Sequence, residues 1–243
     1  MYGLPARERR EDTMKKTLIE LNIKDFPQEI WPYLEGATVY DSSCSDHARV
    51  YYSDLGYYIK VEDKGKLEVE AKAVELFAQR HLGPEMTAYV STDKDFLVTK
   101  EAVGDDCLLE CYLEEPERLC KVLADAMNFL HSLPVSAETS IPISPCMKLY
   151  EEHGYGDKMK YDTFIHGDFC LPNIMLDDWK FSCFIDVGLA GVGDRHIDIY
   201  WALWSLNYNL KTDKYTDLFL DLYGREKVDM EILRLVAKVE KLG

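Results

Sequence analysis

The spacing of apolar residues changes character part-way along the chain. Between Ala37 and Glu62, short runs rich in β-branched and aromatic residues (ATVY, RVYYS, GYYIKVE) alternate with turn-forming stretches such as DSSCSD and SDLG. That pattern predicts antiparallel strands. Over 67–82, LEVEAKAVELFAQRHL carries Leu67, Ala71, Val74, Phe77 and Ala78 at helical spacing, and Gly83-Pro84 ends the run. An amphipathic helix is predicted there. A further strand pair is read around TAYVST and FLVTKEAV, with the acidic Asp93–Asp95 between them as the turn.

Beyond that point the period is helical. PERLCKVLADAMNFLHSL (116–133) places apolar residues at 119, 122, 123, 126, 127, 130 and 133, and similar patterns recur at 197–210, 213–223 and 229–242. Residues 134–160 are rich in Pro, Ser and Gly and read as irregular. The fold class expected is α+β. A small antiparallel-sheet lobe with one main helix occupies 14–103, and a mainly helical lobe occupies 104–243, the boundary falling at 101–105. Residues 1–13 read as a flexible extension, because MKKTLIELN from Met14 resembles a second start and the preceding stretch is charged and lacks the apolar core of a signal peptide.

One stretch resists the pattern. FIHGDFCLPNIMLDDWKFSCFIDVG (164–188) sets His166, Asp168, Asn173 and Asp186 among apolar residues. Charge in such surroundings is costly unless a partner compensates it. Ile174–Leu176 and Phe181–Ile185 read as two strands joined by a turn at 177–180, a hairpin whose two ends come together. It would place Asn173 beside Asp186, with Asp168 on the preceding loop. An Asn carbonyl and a carboxylate are hard oxygen ligands suited to Mg²⁺ held together with phosphates. Asp168 is then left to meet an attacking hydroxyl. Protein kinases divide the work of phosphoryl transfer in this way, with the catalytic Asp five positions before the Asn and an Asp-Phe-Gly motif after it. Here 168 to 173 is also five, and Asp-Val-Gly stands at 186–188. Such a site needs a strand Lys for the nucleotide phosphates and a helix Glu to pair with it. Lys60 in GYYIKVE suits the first role, and Glu70, with Glu68 as competitor, suits the second.

On these residues the chain resembles the aminoglycoside phosphotransferases, above all their 3′-phosphotransferase branch. The most specific pieces are CSDHARVY (44–51), YYIKV (57–61), HGDFCLPNIM (166–175) and FIDVGLAGVGDRHIDI (184–199). The resemblance implies a protein-kinase-like two-lobe fold and transfer of the γ-phosphoryl group of ATP (or GTP), with Mg²⁺, to a hydroxyl of an aminoglycoside or aminoglycoside-like compound. It implies Asp168 as the catalytic base or hydroxyl-orienting group, Asn173 and Asp186 as metal ligands, and Lys60 and Glu70 as the phosphate-binding ion pair. Tyr58 would stack on adenine, the backbone around Lys100 and Ala102 would bond its edge, and Ser45, with Asp46, falls in the loop over the phosphates. His166, Asp194 and Asp198 would support the catalytic loop, and Glu240 is the one carboxylate kept from an acidic tail that contacts substrate amines. The chain departs from the family in three places: Leu189 replaces an Arg after D-x-G, only residues 132–165 separate His131 from His166, and the chain ends VEKLG. A different alcohol acceptor (choline-like, sugar-amine or macrolide) and a catalytically silent nucleotide-binding protein are the competing readings.

Composition narrows the partners. A net charge of −16 disfavours nucleic acid and anionic membranes, which call for a basic footprint, and would suit a small cationic substrate, although charge alone is better read as what keeps an ordinary acidic protein in solution. No apolar run reaches the length of a bilayer span. Seven scattered cysteines without a C-x-x-C argue for a reducing cytoplasm and against a disulfide framework or zinc site, and Cys107 and Cys111 are expected to be core residues on one helix face. A monomer or weak dimer is expected.

Overall fold

A computed structural model describes residues 16–43, 48–136 and 141–241. Ser45, Asp46, Glu138 and the proposed extension 1–13 lie outside the described residues. The described chain divides into two compact units, 16–103 with 183–188, and 104–182 with 189–241.

The first unit is built on six strands: β1 (Thr17–Leu18), β2 (Val39–Asp41), β3 (Arg49–Ser53), β4 (Tyr57–Asp63), β5 (Met86–Ser91) and β6 (Lys94–Lys100). They pair antiparallel in the order β1-β2-β3-β4-β6-β5. The two-residue period of β4 separates its faces. Ile59 and Val61 enter a core with Ile30, Leu34, Val39, Phe96 and Val98, so Tyr58 and Lys60 stand on the other face. One helix, α1 (Glu68–Gln79), follows β4 and buries Ala71, Ala73, Val74 and Phe77.

The turn between β5 and β6 differs from the expected Asp93–Asp95. Only Thr92 and Asp93 lie outside the strands, and Asp95 is a fully buried strand residue. Its carboxylate accepts the Leu67 N–H at 3.0 Å and the Ser91 hydroxyl at 2.7 Å. Leu67 precedes α1 and offers no capping side chain, so a strand Asp from across the unit satisfies an orphan donor at the helix start. A spacing argument that reads Asp as a turn-former cannot see that partner.

The second unit holds β7 (Asp105–Asp106), α2 (Glu110–Leu113), α3 (Pro116–His131), α4 (Met147–Glu152), β8 (Thr163–Ile165), β9 (Ile174–Asp177), β11 (Gly191–Gly193), α5 (Arg195–Leu210), α6 (Thr216–Tyr223) and α7 (Met230–Val239). Strand β10 (Lys180–Phe184) follows β9, and the strands order as β10-β9-β7 in one sheet and β11-β8 in another. α3 buries Leu119, Leu123, Ala126, Met127 and Leu130 of the stripe its sequence carries, joined by Cys120 and Ala124, while Val122 and Leu133 are only partly buried. The expected irregular segment 134–160 contains α4, which buries Met147 and Tyr150.

The β9–β10 turn is tighter than 177–180. Asp178 and Trp179 both have positive φ, 45° and 64°, the requirement of a two-residue hairpin loop with the twist that strands favour. Trp179 is an unusual residue there. Its indole is held by the Arg118 guanidinium 4.2 Å from the ring and by the Tyr112 ring at 4.8 Å. The expectation for the cysteines is half corrected: Cys107 is buried but lies outside any helix, and Cys111, on α2, is exposed.

Candidate active site

The loop after β8 carries Asp168. Its backbone is gripped from α5, where Asp198, Trp201 and Ser205 follow one another at intervals of three and four, one face of a helix. The fully buried Asp198 carboxylate accepts the N–H groups of His166 and Gly167, each at 2.8 Å. The Ser205 hydroxyl accepts the Leu171 N–H at 3.0 Å, and the Trp201 carbonyl faces the Cys170 thiol at 4.0 Å. Gly167 has φ +84°, and a Cβ there would stand 2.5 Å from the Leu189 carbonyl oxygen. Only glycine permits both that conformation and that approach.

Held in this way, Asp168 is half-buried and both its oxygens receive donors. The Asn173 amide nitrogen donates to Oδ2 at 3.0 Å and to the Asp168 backbone carbonyl at 2.9 Å, and the Cys170 thiol donates to Oδ1 at 3.1 Å. Because its nitrogen faces Asp168, the amide oxygen of Asn173 is directed away from it and keeps its lone pairs for another partner. The Asp168 N–H donates to His166 Nδ1 at 3.3 Å. Asp194 caps α5, accepting from the His196 N–H at 3.0 Å and the Lys160 N–H at 2.8 Å. Burial alone would raise its pKa, but these hydrogen bonds and that of the His196 ring outweigh burial and hold the carboxyl below its ordinary value. Glu240, at the end of α7, accepts the hydroxyl of the buried Tyr150 at 2.5 Å.

In the other unit, Lys60 Nζ lies 2.7 Å from both carboxylate oxygens of Glu70 and 3.2 Å from Asp186 Oδ1. Glu68 pairs instead with Lys72, one helical turn away, at 2.6 Å. The geometry thus selects Glu70 from the two candidates. Burial by itself would lower the Lys60 pKa, but the neighbouring charges of Asp186 and Glu70 and their hydrogen bonds more than reverse that, so the ammonium is held charged. Burial moves Glu70 upward, with the Lys60 charge opposing it. Asp186 reaches this cluster from the segment 183–188, which is anchored where the Phe184 N–H donates to the Leu82 carbonyl at 2.7 Å and its ring meets Phe77 edge-on at 6.1 Å. Asp186 itself sits at φ 55°.

Tyr58 shares the sheet face of Lys60, with its ring 5.0 Å from that of Tyr52 and the Lys16 ammonium 5.4 Å from it. The Lys100 N–H is taken by the Glu85 carbonyl at 2.9 Å, and its side chain by the Glu85 carboxylate at 2.6 Å. That amide therefore cannot donate to a nucleotide base, and the expected edge contact is narrowed to the Lys100 carbonyl and Ala102. Asp168 and Asn173 are brought together in one unit, and Lys60, Glu70 and Asp186 in the other. Ser205 and Cys170 escaped the sequence reading. The one signal for Ser205 was its spacing of seven from Asp198, two turns along the same helix face.

Residues 157–236, which include Asp168, Asn173 and Asp186, match the profile of a family described as "Phosphotransferase enzyme family". A Lactococcus lactis protein named as a probable aminoglycoside 3′-phosphotransferase is 38% identical to this chain, over 93% of the chain and 98% of that protein. The chain belongs to the aminoglycoside phosphotransferase family. An aminoglycoside 3′-phosphotransferase of Niallia circulans is 44% identical over 79 residues, 32% of this chain and 30% of that protein. Among solved structures, a type VIII aminoglycoside 3′-phosphotransferase superposes with a TM-score of 0.69 at 19% identity, covering 91% of this chain and 99% of that one. A Streptomyces rimosus aminoglycoside phosphotransferase, solved with ADP and streptomycin, superposes with a TM-score of 0.65 at 20% identity, covering 80% and 90%. The expected α+β, protein-kinase-like fold is the fold of this family member. Among the described residues no helix is long and apolar enough to cross a membrane.

Proposed function

We propose that this chain is an ATP-dependent O-phosphotransferase that phosphorylates a hydroxyl of an aminoglycoside, the 3′-hydroxyl being the position favoured by the activity its relatives are named for. The observation that carries the proposal is Asp168, whose two carboxylate oxygens are held by Asn173 and Cys170 on a loop whose backbone is clamped from α5. A carboxylate so held can accept a proton without first reorganising.

In the reaction, the acceptor oxygen forms a bond to the γ-phosphorus as the bond to the β-phosphate oxygen breaks and ADP leaves with that electron pair. Asp168 orients the hydroxyl and takes its proton. Lys60, held by Glu70, neutralises charge on the nucleotide phosphates, and transfer is promoted mainly by positioning and charge stabilisation. Asn173 and Asp186 offer hard oxygen donors of the kind Mg²⁺ takes, and when bound the ion would neutralise phosphate charge there. Tyr58 would stack on adenine and Ala102 would meet its edge. The net charge of −16 favours a polycationic acceptor, and the six cysteines free among the described residues fit a reducing cytoplasm.

A second acceptor class is favoured by one observation. Leu189, 42% exposed, presents an apolar side chain directly after Asp-Val-Gly, and an alcohol with apolar surface, such as a macrolide, would pack on it better than a polycation. A panel of aminoglycosides and other small alcohols with coupled ADP detection, with Asp168→Ala as control, tests both readings. Turnover on aminoglycosides that is lost in the control is expected. Turnover only on another alcohol would refute the first reading.

A further inference from the structure

Asp198 is held in turn by a chain of polar groups that runs behind the loop across three helices. His131, the last residue of α3, has a side chain 3% exposed, and its Nε2 lies 3.0 Å from Asp198 Oδ2, the oxygen that also accepts the His166 N–H. Its Nδ1 lies 2.8 Å from the hydroxyl of Tyr223, the last residue of α6. A carboxylate oxygen accepts, so Nε2 carries the hydrogen that faces Asp198, and Nδ1 accepts from the Tyr223 hydroxyl. Each link satisfies a buried polar group.

We propose that His131 is a positioning residue for phosphoryl transfer. Its Nε2–H completes the donors on the Asp198 carboxylate that fix the His166–Gly167 turn, and so the aim of Asp168. The inference rests on reading Asp168 as the group that meets the acceptor hydroxyl. Without the His131 donor, Oδ2 keeps a single partner and the carboxylate is free to turn, while Gly167 must still hold φ +84° against the Leu189 carbonyl. Asp168 is the next residue, so a small backbone shift moves the reacting oxygen directly.

The two nitrogens of the ring can be separated by substitution. The amide nitrogen of Gln at 131 reaches the place of Nε2, whereas that of Asn stops at the place of Nδ1. Steady-state kinetics with ATP and an aminoglycoside give one readout, and amide hydrogen exchange over residues 165–169, which needs no activity, gives another. His131→Asn is expected to lower kcat roughly 10- to 100-fold while the KM for ATP stays within about two-fold, and to speed exchange in that segment. His131→Gln is expected to restore both. A wild-type kcat in the Asn variant, an equal loss in both variants, or unchanged exchange in the Asn variant overturns the proposal. Should His131→Asn fail to fold, Tyr223→Phe, which removes only the hydroxyl that holds Nδ1 of the ring, must still speed exchange over 165–169; unchanged exchange there also overturns it. A wild-type protein that phosphorylates no aminoglycoside counts against the functional reading, and the exchange comparison still decides the role of His131.

Discussion

Replacing Asp198 by Asn keeps the size of the side chain but turns one carboxylate oxygen into a donor. Three N–H groups converge on that carboxylate: His166 N and His131 Nε2 on Oδ2, and Gly167 N on Oδ1. The Asn oxygen can serve the first two, and the Gly167 N–H then faces an amide NH₂. The lost charge-assisted bond is worth about 1.5–3 kcal/mol, and the stranded buried donor adds about 1–3 kcal/mol. Roughly 3–5 kcal/mol of stability is therefore at risk, in the range expected when one member of a buried charged network is removed. In a chain of this size that lowers Tm by roughly 6–20 °C. Thermal unfolding followed by circular dichroism measures it, with Asp217→Asn as a surface control. Asp217 pairs with Arg225 at 2.8 Å but is 84% exposed, so solvent screens the pair and its loss should barely move the melt. If the Asp198 variant melts within about 2 °C of wild type, or no lower than the control, the clamp does not hold the loop as argued.

Lys60→Met leaves Glu70 and Asp186 facing each other without the cation between them, and kcat/KM for ATP should fall by roughly 100-fold or more, whereas Lys72→Met, which removes only the partner of Glu68, should leave it nearly unchanged in initial-rate assays. Gly104→Ala places a Cβ at φ +95° and 2.2 Å from the Leu176 carbonyl oxygen, so urea unfolding should show a loss of at least about 2 kcal/mol. Asp194 binds its proton more weakly in the folded state, so its contribution is complete above the ordinary carboxyl value of 3.8 and disappears as pH falls through its lower folded value. The difference in urea midpoint between wild type and Asp194→Asn should accordingly be widest at about pH 7 and narrow toward about pH 3, and a difference that does not change with pH would refute the assignment. Burial pushes the Cys146 thiol up to about 12, so it should stay unlabelled by a thiol reagent in the native protein at about pH 8, where the exposed Cys111 reacts; Cys111→Ser should remove one fast-reacting equivalent.

The elements could be read from the chain wherever local periodicity and final burial coincide. The stripe of α3, the alternation of β4 and the apolar runs of β9 and β10 are local patterns, and the structure uses the same residues as its core. The candidate site residues could be proposed for a different reason: their spacing around a hairpin is itself a short-range feature. What remained hidden depends on partners distant in sequence. Asp95 looked like a turn residue because its partner, the start of α1, lies 28 positions away. Trp179 occupies a left-handed turn position against its own preference, because Arg118 and Tyr112 hold its ring.

By itself, then, the sequence determined the reaction chemistry and the order of elements, since a phosphoryl-transfer motif is a matter of residue type and local spacing. Tertiary structure alone decided which of Glu68 and Glu70 meets Lys60, that the Lys100 amide is already occupied, and that His131 stands behind Asp198. Glu68 and Glu70 sit two positions apart and point about 200° apart around the helix. Which one faces the sheet is set by the packing of α1, and no local pattern of charges records that.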